Sequence, residues 1–157
     1  MDNNTGAIKV LNENHIEYSI REYPEDGPVA AVDVAAYFGD TADRLFKTLV
    51  TTDHKGGYYV FCLPGEKRLD LKKAAALVGV KNLQMLKPDV FQELTGYVHG
   101  GCSPLGMKTL LPTVVDASAL KWDTIFLSGG RVGLLIDLSP SVLRTLVDVK
   151  FEDITKD

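Results

Sequence analysis

The chain has 157 residues, 45% of them hydrophobic and 24% charged, a size and balance that suit one domain spanning residues 1–157 and burying its own core. No run of 18 apolar residues occurs, which excludes a spanning helix, and Met1-Asp2-Asn3-Asn4-Thr5-Gly6 lacks the basic flank and apolar stretch of a secretory leader. Cys62 and Cys102 form no Cys-x-x-Cys pair and there are only three histidines, so neither a disulfide framework nor an ordinary zinc site is expected. The expectation is a cytoplasmic protein with no metal and no other cofactor.

A net charge of −4 argues against a generic nucleic-acid binder, DNA included, but the charge is unevenly spread. Residues 1–43 carry 2 basic and 9 acidic side chains, whereas residues 44–108 carry 10 basic and 5 acidic. Such a basic middle is either a phosphate-facing surface or a set of scattered solvated charges.

In chain order, Ile8, Val10 and Leu11 give one apolar side to a first helix that stops at Asn14. A strand follows from Glu17 to Tyr23, then a helix from Val32 to Phe38 ended by Gly39. Leu45–Thr51 and Tyr58–Leu63 read as a hairpin around Asp53-His54-Lys55-Gly56-Gly57. Asp70 caps a helix over Leu71–Val78 with Gly79 beyond it, and Pro88 opens another that stops near Gly96. Strands at Thr113–Val115, Ile125–Ser128 and Val132–Leu138 come next, the last two joined at Gly129-Gly130. Ser139-Pro140 then opens a helix to Val147, and the last few residues carry no structural signal. The irregular order predicts an α+β fold: a mixed, partly barrel-like β-sheet surrounded by helices, not a dinucleotide-binding fold.

The most informative local feature is Gly100-Gly101-Cys102-Ser103-Pro104-Leu105-Gly106. Three glycines let a backbone approach a ligand closely, and bare N–H groups there could hold an anion or a developing oxyanion. An ordinary surface turn is the other reading, and the loop lacks the endings of nucleotide-phosphate motifs. Lys47 interrupts an apolar strand on the face of Leu45 and Leu49, as an edge guard or as a cation aimed into a cleft. Cys102 with His99 invites a thiol-nucleophile reading, against inert packing. Ser128 is a turn residue or a pocket hydroxyl. Asp70, Asp116 and Asp137 show no paired-carboxylate spacing, and Trp122 is read as core.

Phe46-Lys47-Thr48-Leu49, Leu69-Asp70-Leu71-Lys72-Lys73, Gly96-Tyr97-Val98 with the glycine loop, and Ser128-Gly129-Gly130 occur in an order that resembles the YbaK/EbsC family of aminoacyl-tRNA editing proteins, related to the editing domain of bacterial prolyl-tRNA synthetase. The resemblance runs from about Leu11 to Ile154. It implies a partly rolled mixed sheet that holds the acceptor end of a misacylated tRNA. It further implies removal of cysteine from Cys-tRNA(Pro), with Cys-tRNA(Cys) as a related substrate, and prolyl-tRNA synthetase as a partner. By the same resemblance Lys47 and the backbone of Gly100 and Gly101 are catalytic, and Tyr23, Thr48, Ser103, Pro104 and Ser128 bind substrate. In the family's cysteine editors the substrate thiol attacks its own ester. That mechanism agrees with the absence of a recognisable Ser–His–Asp set or metal motif.

Two departures from the family stand out. Leu135 occupies the position of an aspartate found in some relatives, with Asp137 two residues on along the same face, and the segment between Tyr23 and Lys47 is shorter. Other readings are an Ala-tRNA(Pro) deacylase using water, a non-catalytic tRNA- or synthetase-binding module, and a hydrolase using Cys102. Lys67, Arg68, Lys72 and Lys73 are the expected contacts to the acceptor stem.

Overall fold

The computed structural model describes residues 3–40 and 42–156. Helix α1 (Gly6–Glu13) is capped by Thr5, whose hydroxyl accepts from Ile8 N–H at 3.2 Å, and it buries Ala7, Ile8 and Leu11. Strand β1 (Ser19–Glu22) and helix α2 (Ala31–Tyr37) follow. Strands β2 (Phe46–Thr52) and β3 (Tyr58–Pro64) form the expected hairpin, closed by Asp53, whose carboxylate accepts from the N–H groups of Lys55 and Gly57 at 2.7 and 2.8 Å.

Next come β4 (Arg68–Leu69), α3 (Leu71–Val78), β5 (Gln84–Met85) and α4 (Pro88–Thr95). Asp70 caps α3 by accepting from the N–H groups of Lys72 and Lys73 at 3.1 Å each. Gly79 and Gly96 end α3 and α4 at φ of 76° and 81°, a backbone that L side chains rarely adopt. The chain finishes with β6 (Thr113–Asp116), β7 (Ile125–Ser128), β8 (Leu134–Leu138), α5 (Leu143–Leu146), β9 (Val149–Glu152) and β10 (Thr155–Lys156).

The strands form a five-stranded sheet in the order β5-β2-β3-β6-β9, a three-stranded sheet β1-β8-β7 and the pair β10-β4. In the larger sheet β2 and β3 are antiparallel, whereas β3-β6 and β6-β9 are parallel. A single parallel bridge, Leu45 with Phe126, joins the two larger sheets without closing a barrel. This is the mixed, partly rolled α+β arrangement that the element order predicts.

Alternation along each strand distributes the core. Phe46, Val50, Val60 and Cys62 meet Ile125, Leu127, Leu134, Ile136 and α1 in one cluster. Phe126 and Leu135, on the reverse faces of β7 and β8, join Tyr23, Leu45 and α2 in a second. Phe61, Leu63 and Val114 pack beneath α3 with Ile154.

Three expectations are corrected. The helix predicted from Ser139-Pro140 to Val147 is a 3₁₀ turn, Pro140–Val142, followed by the single turn of α5. Ser139 does not cap it: its hydroxyl meets that of Ser141 at 3.0 Å instead. The link between β7 and β8 spans five residues, 129–133, with Val132 in the loop rather than in the strand. The chain end is ordered, because Thr155 and Lys156 pair with Leu69 and Arg68. Strands of two residues, and β9 with its half-exposed alternation, leave no local signal above that of a loop.

Tyr97 anchors the glycine loop from within, its buried hydroxyl donating to Leu105 O at 2.5 Å. Burial pushes its pKa up to about 12. Tyr97→Phe leaves that carbonyl without its donor and is expected to cost about 1–3 kcal/mol in urea-unfolding free energy; a loss within error would show that water replaces the hydroxyl.

Candidate active site

A cavity of about 600 Å³ opens beside β2 and the end of β7, beyond the Leu45–Phe126 bridge. Of the residues singled out in the sequence, Tyr23, Lys47, Thr48, Gly100 and Ser128 line it together. Gly101, Ser103 and Pro104 are not among its lining residues. Gly101 lies behind the wall, its N–H donating to Val98 O at 3.0 Å. Ser103 is fully buried and its hydroxyl accepts from Leu105 N–H at 3.3 Å, a contact internal to the loop. Pro104 borders a separate apolar groove with Met107 and Leu111.

Lys47 stands on β2 opposite Leu63. Its ammonium donates to Lys67 O at 2.6 Å and reaches Gly65 O at 3.4 Å, which holds a positive charge at the cavity wall. Partial burial lowers its pKa from the ordinary lysine value. Thr48 points its hydroxyl at the Cys62 thiol, 3.7 Å away. Ser128 ends β7, and its Oγ accepts from Gly130 N–H at 3.2 Å. Thr5 donates its hydroxyl to Gly129 O at 2.5 Å, so α1 holds the Ser-Gly-Gly segment in place.

The glycine loop packs against that segment. A Cβ on Gly101 would lie 2.8 Å from the Arg131 Cα and the Val132 nitrogen, so the two backbones touch where only glycine fits. Arg131 is itself held by Asn3 Oδ1 at 2.7 Å and by Glu22 and Glu25 at 3.9 and 3.7 Å.

Leu135 lines the cavity, whereas Asp137 does not. Asp137 lies 3.5 Å from the guanidinium of Arg44, which in turn sits 4.2 Å above the Phe126 ring. Its Oδ1 is buried at ion-pair distance from Arg44, without a hydrogen bond among the described residues and away from the cavity lining, and supplies no acid there.

Sequence reasoning did not select Phe91, Val29 or Val32, which complete the wall. Val29 and Val32 are exposed apolar residues on the rim, a feature that only the surface reveals. Cys102 and His99 both line the cavity, and each meets another residue. The Cys102 thiol faces Ser103 O at 3.9 Å, and the His99 ring meets Phe91 edge-on at 6.3 Å. Burial pushes the Cys102 thiol well above its ordinary range, away from the thiolate form that a nucleophile needs. Cys102→Ala is therefore expected to leave deacylation within about threefold of the wild-type rate; a hundredfold loss would restore the thiol-nucleophile reading.

Of the four basic residues expected to meet an acceptor stem, Lys67, Arg68 and Lys72 are exposed around the β3–α3 connection next to Lys47. Lys73 ties α3 to the chain end through Asp153 at 3.1 Å and Thr155 O at 3.0 Å.

A cation held at a cavity wall, a glycine backbone facing it and, among the described residues, no activated side-chain nucleophile form a site that can orient and polarise an ester. Comparison with known proteins agrees with that chemistry. The profile of the aminoacyl-tRNA editing domain family matches residues 28–146. The chain is 36% identical over 152 residues to EbsC of Enterococcus faecalis, by its name a candidate Cys-tRNA(Pro)/Cys-tRNA(Cys) deacylase, covering 96% of this chain and 93% of that one. It is 28% identical to the proline–tRNA ligase of Thermosipho melanesiensis over 80% of this chain but only 21% of the ligase. Among solved structures, a candidate trans-editing enzyme for prolyl-tRNA synthetase superposes with a TM-score of 0.84 at 30% identity, covering 97% of this chain and 94% of that one. The chain belongs to the aminoacyl-tRNA editing domain family. Its chemistry is that of an editing deacylase acting on aminoacyl-tRNA. No helix among the described residues is long and apolar enough to cross a membrane.

Proposed function

We propose that this protein removes cysteine from misacylated Cys-tRNA(Pro), with Cys-tRNA(Cys) as a second substrate, through attack by the substrate's own thiol. The observation that carries this reading is a cavity with a fixed cation, Lys47, in which no hydroxyl or thiol among the described residues is hydrogen-bonded to a histidine or carboxylate. The nucleophile then comes from the substrate. The cysteinyl sulfur gives up its proton to solvent and forms a bond to the ester carbonyl carbon. The carbon–oxygen bond to the ribose breaks, and the ribose oxygen takes up a proton as the tRNA leaves. The product is a four-membered thiolactone that water opens to free cysteine. Intramolecular attack supplies the proximity that an enzyme nucleophile would otherwise provide.

Lys47 positions the ester and the terminal ribose, the glycine loop faces the carbonyl oxygen, and Tyr23, Thr48 and Ser128 shape the acyl pocket. The exposed Lys67, Arg68 and Lys72 meet acceptor-stem phosphates, so kcat/KM should fall steeply between low and physiological salt. Prolyl-tRNA synthetase is the proposed partner, supplying selectivity for the tRNA that an acidic protein lacks by itself.

A second substrate reading has its own support. Leu135 gives the cavity wall an apolar surface, which suits an alanyl side chain. That ester has no thiol and would need water as nucleophile. Deacylation of Cys-tRNA(Pro), Ala-tRNA(Pro) and Pro-tRNA(Pro) by the purified protein decides between the two. Loss of the cysteinyl ester alone supports the thiol mechanism, and preference for the alanyl ester replaces it with the water mechanism. Inactivity on all three with prolyl-tRNA synthetase present leaves a non-catalytic binding module.

A further inference from the structure

Four consecutive residues of β2, Phe46 to Leu49, line the cavity. A strand face is shared by alternate residues, so four in a row mean that the cavity runs along the strand's edge. The ladder determines which backbone groups that edge presents. Val60 N–H donates to Pro112 O at 2.9 Å, toward β6. The main-chain groups of Phe61 and Leu63 therefore turn to β2, opposite Leu49 and Lys47.

On the other edge of β2, Phe126 N–H donates to Arg44 O at 3.0 Å, and Leu86 N–H donates to Val50 O at 3.2 Å. Even-numbered residues of β2 face this edge. Between its two closures, Thr48 turns its N–H and C=O to this edge, where no strand ladder or bridge among the described residues continues. Gly101, one of the two loop backbones expected at the substrate carbonyl, already has its N–H engaged by Val98 O, so a donor from the strand side would complement Gly100, which lines the cavity.

We propose that the main-chain N–H and C=O of Thr48 bind the aminoacyl group as a one-residue β-bridge. The α-ammonium donates to Thr48 O, and Thr48 N–H donates to the ester carbonyl oxygen. This assignment rests on the deacylase reading above and identifies the group that holds the reacting carbon. The gap is one residue long, so a longer peptide strand would collide with the closures at Phe126 and Leu86. An α-aminoacyl ester carries one donor and one acceptor at single-residue spacing, and its other end is nucleotide rather than peptide. Paired residues of a ladder project side chains to the same face, which puts the acyl side chain beside the Thr48 hydroxyl. As the carbonyl carbon becomes tetrahedral its oxygen gains charge, and the Thr48 N–H bond strengthens with it.

Amide exchange followed by NMR tests this in the unmodified protein. In the free protein the Thr48 amide should exchange at least about tenfold faster than those of Lys47 and Leu49, which lie in the ladder. Adding 3′-deoxy-3′-(cysteinylamino)adenosine, an unreactive amide analogue of the charged acceptor end, should slow Thr48 exchange and shift its resonance, leaving the two neighbours unchanged. Replacing Thr48 by its α-hydroxy acid counterpart keeps the side chain and removes only the N–H. With Cys-tRNA(Pro) as substrate, kcat should fall about 10²-fold. An unchanged kcat, or analogue binding that leaves the Thr48 amide untouched, overturns the proposal while the deacylase reading stands. A wild-type chain that neither deacylates nor binds the analogue removes both.

Discussion

Lys47→Ala is expected to lower kcat/KM for Cys-tRNA(Pro) by about 10²- to 10³-fold while the protein stays folded, the loss typical of removing one preorganised charge-stabilising group from an active site. The ammonium has two carbonyl oxygens, of Lys67 and Gly65, at 2.6 and 3.4 Å and no carboxylate partner among the described residues. It stands at the cavity wall as a fixed positive charge. Its pKa is lowered by burial, and the sign of that shift sets the stability expectation. The unfolded chain binds this proton more tightly than the folded one, so stability contributed here rises with pH as it passes from the folded pKa up to the ordinary value of 10.5. At neutral pH the desolvated charge is a cost to the fold rather than a support. Lys47→Ala and Lys47→Met should therefore melt at or above the wild-type temperature while losing activity. A variant that keeps more than about a tenth of wild-type kcat/KM would remove Lys47 from the catalytic machinery. One that melts well below wild type would show that its carbonyl contacts, not its charge, dominate.

Gly101→Ala is expected to damage both stability and activity more than Gly100→Ala, although Gly100 has the unusual backbone. Gly100 sits at φ +88°, but a Cβ there meets only Val132 and Val29 methyl groups at 3.4 Å. Its cost is conformational, about 1–2 kcal/mol. A Cβ on Gly101 would press at 2.8 Å on the backbone of Arg131 and Val132, a segment held by Asn3, Glu22, Glu25 and the α1 cap. Neither side can yield locally, so the glycine loop and the Ser-Gly-Gly segment must move apart. Overpacking of this kind costs about 1–3 kcal/mol, and a displacement of about an ångström at the reacting carbonyl lowers the rate on the order of 10²-fold. Urea unfolding and single-turnover deacylation of both variants would check the ranking. The reverse order would show that backbone conformation, rather than the close approach of the two loops, fixes the cavity wall.

The elements legible in the sequence are those whose physics is local. Asp70 and Gly79 mark both ends of α3, Pro88 and Gly96 bracket α4, and the Asp53–Gly57 turn sets the β2–β3 register, because caps and turns act over four or five residues. Where a signal depended on a distant partner, it faded. Strand β10 exists because it finds Arg68–Leu69, far back in the chain, and the Ser139-Pro140 start yields a short turn because the chain rejoins the large sheet beside β6 from Val149.

The site divides along the same line. The residue types are legible in the chain: a lysine within an apolar strand, a glycine loop able to pack closely and a serine before two glycines, in an order that marks the family. Which of them share a cavity depends on how distant segments pack. Lys47 and Thr48 alternate along β2, and both line the cavity because β7 leaves the strand's edge after one bridge. Leu135 and Asp137 occupy one strand face, yet Leu135 enters the cavity and Asp137 turns to Arg44. The Gly101 amide bends back to Val98, and Ser103 is buried within its own loop. Alternation fixes the side of a strand on which a residue lies. What meets it there is fixed by packing between segments remote in sequence.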